Sequence, residues 1–266
     1  MLGKLLKHEW RAVSRFLLLI HGILLLFVLA GRTLLLLPIP SRISGTMAVF
    51  YSMVYIFALG AVALGTCFYL ILRFYRNMFT DQGYLTHTLP VKPYELLWSK
   101  SLVFLAWIIL DVLVCLLSIV IMVTGFQDNG SSNLIASLKT AFEQLKGAFG
   151  NLWPLAVLLV LTMLLTLVFQ WIQLAYCGIC VGSLFSKHKI LLSVVFCGIF
   201  YMAVQVINGI FLVFVAFGPM IFSQSFDPSA FSLRVMILGM IAMAAVLGAC
   251  FYSVSRLIVA KYLNLD

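Results

Sequence analysis

Six long apolar stretches dominate this sequence and restrict the folds that it can adopt. They cover residues of about 16–37, 47–72, 102–124, 152–184, 190–217 and 231–254. Each reaches or exceeds the roughly 20 residues that a helix needs to cross about 30 Å of hydrocarbon. Their Leu, Ile, Phe and Gly residues do not alternate with polar residues, as they would in barrel strands. The sequence therefore predicts an all-α integral membrane protein with six transmembrane helices in a single domain, residues 1–266.

Composition supports this class and excludes several functions. The chain is 64% hydrophobic and only 9% charged, whereas roughly a quarter of the residues of a soluble domain are charged. Six spans leave no room for a separate catalytic domain. The sequence contains no GxxxxGK[ST], HExxH or GxSxG pattern, so we expect neither enzyme activity nor a cofactor in this chain.

The distribution of charge predicts the orientation of the six helices. Twelve of the 17 Lys and Arg residues lie on the side of the N-terminus, and the other 5 lie on the opposite side. Basic residues concentrate on the cytoplasmic side of membrane proteins. Both termini are therefore expected in the cytoplasm, and the net charge of +9 is attributed to this bias rather than to a nucleic-acid partner.

Two segments have helical periodicity without being apolar enough to span. Residues 1–15 alternate leucines with basic residues, which favours an interfacial helix in the lipid headgroup layer over simple flanking charges. Within it, His8 and Glu9 are expected to be solvated. Residues 131–150 repeat Leu and Phe at helical spacing, which predicts an extracellular amphipathic helix on the outer leaflet or over the bundle.

Ionisable residues inside the spans are rare and costly, so they mark candidate sites. Asp111 in the third span and His21 in the first are the clear cases, and we favour a hydrogen bond between helices for Asp111 over a transport role. Gln170 and Gln173 in the fourth span could line an interface or a cavity. With Asp111 they form a candidate intramembrane polar site.

Small residues near the end of the fourth span indicate close helix packing. Gly178 and Gly182 form a GxxxG pattern, which lets a neighbouring helix approach closely. Cys177 and Cys180 form a CxxC in the same stretch. No second Cys or His pair lies nearby, so we interpret these thiols as packing residues rather than metal ligands.

A polar segment, residues 73–100, separates two of the most apolar stretches. We expect a helix that continues past the membrane edge, a break at Gly83, and an extended stretch imposed by Pro90 and Pro93. A fresh helix should begin near Pro93, with Glu95 at its positive end. Four apolar side chains project from the segment: Tyr84, Leu85, Leu89 and Tyr94.

The same segment resembles the ABC-2 type transporter permeases, the membrane subunits of ABC exporters. The residues that carry the resemblance are Asp81, Gly83, Leu85, Leu89, Pro90, Ser99, Lys100 and Leu102. The basic amphipathic N-terminus, six spans and short cytoplasmic end are also similar to that family. The small size and the lack of a fused ATPase look like the versions in bacterial plasma membranes.

The resemblance implies a function and partners. In such permeases this loop carries the coupling helix, which docks in a groove of a separate cytosolic ATPase that binds ATP and Mg. The contact would fall to Asp81, Gly83, Tyr84, Leu85, Leu89, Pro90 and Tyr94. Such permeases pair with a second permease chain, identical or different, and with two ATPase subunits, and they mostly export. The 22 Phe residues favour a peptide-antibiotic or lipid-like cargo.

Two other classes of function stay open from the sequence. One is an ion-coupled secondary transporter or channel that uses Asp111, for which inverted repeats are expected and none is evident. The other is a membrane chaperone or sensor subunit without transport of its own.

Overall fold

Long α-helices form the described part of the chain. The computed structural model describes residues 2–35, 41–80, 82–83, 91–123, 130–185, 187–222 and 228–261. Its long helices are α1 (Leu2–Leu35), α2 (Ser41–Phe79), α3 (Pro93–Val123), α4 (Gly130–Phe149), α5 (Trp153–Gly182), α6 (Lys189–Phe222) and α7 (Pro228–Lys261). No strand occurs in these ranges, so the predicted all-α class is confirmed.

Six of these helices are long and apolar enough to cross a membrane. In the part of the chain that the structure describes, the candidate spans are Leu2–Leu34, Gly45–Phe79, Pro93–Met122, Trp153–Gly182, Lys189–Val215 and Val235–Lys261. By helix length and composition the chain is therefore a multi-pass membrane protein, as the apolar stretches predicted. The amphipathic α4 is not among the candidates.

The helices extend well beyond the predicted spans. α1 has 34 residues and α2 has 39, which correspond to about 51 and 58 Å at 1.5 Å per residue. Both exceed the roughly 30 Å of a hydrocarbon core. α1 continues without a break across residue 15, where the interfacial helix was expected to give way to the first span.

The chain packs as two compact units. The first unit comprises Met1–Arg73 and Trp98–Leu138, and the second comprises Phe74–Leu97 and Lys139–Asp266. In the first unit, α1, α2 and α3 supply a common core of buried side chains: Leu24, Val28, Tyr55, Val62 and Met122.

The second unit is built around α5, which packs against both α6 and α7. Gly178 and Gly182 lie where α6 approaches most closely. A Cβ added at Gly178 would lie 2.9 Å from the backbone nitrogen of Cys197, and one added at Gly182 would collide with the backbone of Ser193. Glycine at these two positions is therefore what allows α5 and α6 to approach.

Candidate functional site

The predicted coupling segment is described at its two edges. Gly83 and Tyr94 are described, whereas Asp81, Tyr84, Leu85, Leu89 and Pro90 lie outside the described residues. The edges belong to the second unit, since that unit includes Phe74–Leu97.

The incoming edge is held by aromatic packing at the end of α2. The Phe74 ring stacks on Tyr176 of α5 with centroids 3.7 Å apart and planes 10° from parallel. Phe79 packs edge-on against Phe74 at 6.1 Å. After α2 ends, the Gly83 N–H donates to the Thr80 carbonyl over 2.6 Å. The final turns of α2, with which the polar segment begins, are thus fixed to α5.

At the outgoing edge a new helix begins, and two cations lie close to an aromatic ring in its first turn. α3 starts at Pro93 and carries Glu95 in its first turn, as the sequence predicted. The Tyr94 ring is 38% exposed, with Lys92 Nζ at 5.9 Å and the guanidinium carbon of Arg256 at 5.8 Å from its centroid. Since Arg256 belongs to α7, a cation–π contact links the start of α3 to that helix.

A three-residue ionic cluster joins α1, α2 and α3 in the first unit. One carboxylate oxygen of Glu9, Oε1, accepts from Arg73 Nε and from Lys100 Nζ, each over 3.2 Å. The Lys100 side chain is only 5% exposed, and Glu9 and Arg73 are 18% and 23% exposed. The expectation that Glu9 is solvated was therefore wrong, because two neighbouring helices bring cations to it.

The two ionisable residues predicted inside the spans form a pair. His21 Nε2 lies 3.0 Å from Asp111 Oδ1, and both residues are 4% exposed. The other ring nitrogen, Nδ1, lies 2.6 Å from the Leu17 carbonyl oxygen one turn earlier in α1. The favoured hydrogen bond from Asp111 to another helix is present in this geometry, and its partner is His21.

The other members of the candidate intramembrane polar site lie in α5. Gln170 and Gln173 are 2% and 1% exposed and belong to the second unit, whereas Asp111 belongs to the first. Gln170 lies against α7, since a Cβ added at Gly248 would be 3.5 Å from the Gln170 Cα. Both amide side chains are therefore buried between packed helices.

The cysteines occur as free thiols, and Cys177 and Cys180 are both buried in α5. Among the described residues, no group of three or more His, Cys, Asp or Glu side chains is arranged to hold a metal ion. The thiol pair lies beside the close contact between α5 and α6, where small side chains are needed.

Sequence reasoning missed the ionic cluster. Glu9 carries the one acidic side chain among several basic ones near the N-terminus, and this was the available signal. Its partner Arg73 was interpreted as part of the cytoplasmic excess of positive charge, and Lys100 as part of that excess and of the resemblance to the ABC-2 permeases. No family model, curated protein or solved structure matches this chain.

Proposed function

We propose that this chain is the permease subunit of a bacterial ABC exporter of the ABC-2 type. It would lie in the plasma membrane with both termini in the cytoplasm. A separate cytosolic ATPase would bind ATP and Mg, and this chain would convert the movement of that ATPase into export of an amphipathic peptide or a lipid-like substrate. A second permease chain would complete the transporter.

The observation that carries this proposal is the way the polar segment is anchored. Its edges pack with the second unit, through Phe74 on Tyr176 and Tyr94 beside Arg256. The helices that flank it, α2 and α3, each continue into the first unit. A push on this segment would therefore act on α5 and α7 through side-chain contacts and on α2 and α3 through continuous helix.

Rigid helices suit this kind of transmission. α2 has 39 residues and α3 has 31, so each is long enough to carry a displacement through the membrane as a rigid body. A loop that only connected two spans would need neither the aromatic stack at one edge nor the cation–π contact at the other. Force transmission accounts for both features.

The test is co-expression and co-purification with the protein encoded by the adjacent reading frame, which this proposal expects to be an ABC ATPase. Replacing Tyr84, Leu85 and Leu89 together with Asp places three charges on the proposed docking surface. Loss of apolar anchors at such a surface costs at least about 2 kcal/mol each. We expect more than about a tenfold drop in recovered ATPase and loss of substrate-stimulated ATP hydrolysis.

A matched control adds the same three charges elsewhere. Ala136, Thr140 and Ala141 are exposed on α4, and replacing them with Asp should leave both the recovered ATPase and its activity unchanged. Unaltered co-purification by the Tyr84, Leu85 and Leu89 variant, at normal levels of folded permease, would contradict the proposal.

The pairing of Asp111 with His21 favours a second candidate, the ion-coupled transporter. A carboxylate beside an imidazole can exchange a proton during a transport cycle. This candidate predicts transport that needs an ion gradient, needs no ATPase, and is abolished by Asp111→Asn. The exporter instead predicts transport that needs the ATPase and ATP and does not need an ion gradient.

A further inference from the structure

The hydrogen bonds of His21 require more hydrogen atoms than a neutral ring supplies. Its Nδ1 faces the Leu17 carbonyl oxygen at 2.6 Å, and its Nε2 faces Asp111 Oδ1 at 3.0 Å. A carbonyl oxygen and an ionised carboxylate can only accept, whereas a neutral imidazole has one N–H to donate. Satisfying both contacts therefore takes one further proton, carried either by the ring or by the carboxyl group.

The surroundings of the pair supply no other compensating charge. The titratable groups that face Asp111 are thiols: Cys115 of α3 has its Sγ 3.9 Å from Oδ1, and Cys67 of α2 interacts with it electrostatically. The Trp107 ring lies 6.2 Å from the His21 ring and is uncharged. Among the described residues of this unit, no cation other than a protonated His21 contacts Asp111.

The nearest fixed charges along the same helices are Arg15 of α1, an exposed residue six positions before His21, and Lys100 of α3. Lys100 lies 11 residues before Asp111 on α3, about 16 Å along the helix axis, and it contacts Glu9. In the other direction the next polar contact is neutral, a hydrogen bond of 2.8 Å between Tyr55 and Ser118. Removing the shared proton would thus leave a buried, uncompensated carboxylate, which is strongly unfavourable.

We propose that His21 and Asp111 together form a binding site for a single proton. The bound proton stabilises the contact between α1 and α3. While the proton is bound, the pair has no net charge and every facing atom has a hydrogen-bond partner. Release of the proton breaks one of the two bonds to His21 and leaves Asp111 charged. Proton release and separation of α1 from α3 therefore favour each other. This site does not depend on the exporter assignment.

Proton linkage gives the sign of the expected pH effect. In an unfolded chain, histidine loses its proton near pH 6.5 and aspartate near pH 3.9. Between about pH 4 and 6.5 both states hold one proton on these residues, so the contribution of the pair is fully present. Above about pH 6.5 the unfolded chain loses this proton, so a folded pair that keeps it makes the folding equilibrium less favourable as the pH rises.

The first test compares the native chain with the double variant H21Q and D111N in lipid nanodiscs. The two amides can still hydrogen-bond across the helices but bind no proton. We expect the ratio of their folding equilibria, native to variant, to fall as the pH rises from about 7 to about 9. A ratio that stays constant over this range would overturn the proposal.

The second test needs no variant and covers the case in which the double variant does not fold. The chain has four histidines, and His8 and His188 are exposed, so they serve as internal references. The ¹⁵N and infrared spectra are recorded at about pH 8, above the usual histidine value. We expect one histidine with hydrogens on both nitrogens or a protonated carboxyl band in the infrared. Absence of both signals would overturn the proposal.

Discussion

Replacing Gly182 with alanine should separate α5 from α6 and lower the stability of the second unit. A Cβ at this position would collide with the backbone nitrogen and Cα of Ser193. Backbone atoms cannot rotate away as a side chain can, so the two helices must move apart. Overpacking of this kind costs about 1–3 kcal/mol, which exceeds the gain of up to about 1 kcal/mol from replacing glycine inside a helix.

Gly209 provides the matched control for this prediction. It lies in the middle of α6, and a Cβ added there meets no atom within 4 Å. Gly209→Ala should therefore be neutral or slightly stabilising, by up to about 1 kcal/mol. Unfolding of both variants in nanodiscs measures the difference, and equal midpoints would show that α5 and α6 do not depend on the missing side chain at Gly182.

The number of spanning helices was predictable because one physical length fixes it. A stretch of about 20 apolar residues has few other structures open to it in hydrocarbon, so six stretches gave six candidate spans. The ends of the helices were less predictable. The sequence predicted a helix over residues 1–15 and a continuation of α2 past its apolar stretch. It did not predict the contact of Phe74 with Tyr176 near the end of α2, because these residues are distant in the sequence.

In the candidate site, too, the sequence identified individual residues but not the partners that tertiary packing brings to them. The sequence identified His21 and Asp111 separately, since an ionisable residue in an apolar stretch is visible without a structure. It left the partner of Asp111 unnamed, because the two residues are 90 positions apart and only the packing of α1 on α3 brings them together. Glu9 was misjudged for the same reason, since Lys100 is 91 positions away.

Gly178 and Gly182 are an intermediate case. The GxxxG spacing predicted a close approach, and the structure places both glycines against α6. The sequence could not name the approaching helix, because the spacing describes one surface only. Small residues show where a neighbour fits, and the tertiary arrangement determines which neighbour is there.

Replacing Glu9 with alanine should strongly lower the stability of the first unit. Glu9 Oε1 accepts from both Arg73 and Lys100 at 3.2 Å, so its removal leaves two cations facing each other. The Lys100 side chain is 5% exposed and cannot reach water without a change in packing. Removing one partner of a buried ion pair typically costs about 3–5 kcal/mol.

Two comparisons separate the buried charge from general effects of the substitution. Glu143 is exposed on α4, and Glu143→Ala should change the free energy of unfolding by no more than about 0.5 kcal/mol. Adding Lys100→Met to the Glu9→Gln variant removes the buried cation together with its partner, and an apolar replacement of a buried pair is often neutral. The double variant should therefore be more stable than Glu9→Gln alone.

This non-additivity is what distinguishes an ionic cluster from two separate contacts. If Glu9 held α1 in place only by packing, the two substitutions would each reduce stability, and their effects would add. Rescue by Lys100→Met requires instead that the main cost of losing Glu9 is the uncompensated charge of Lys100. A double-mutant cycle on the free energy of unfolding measures the coupling, and an additive cycle would contradict the assignment of Glu9 as the counter-ion that joins α1 to α3.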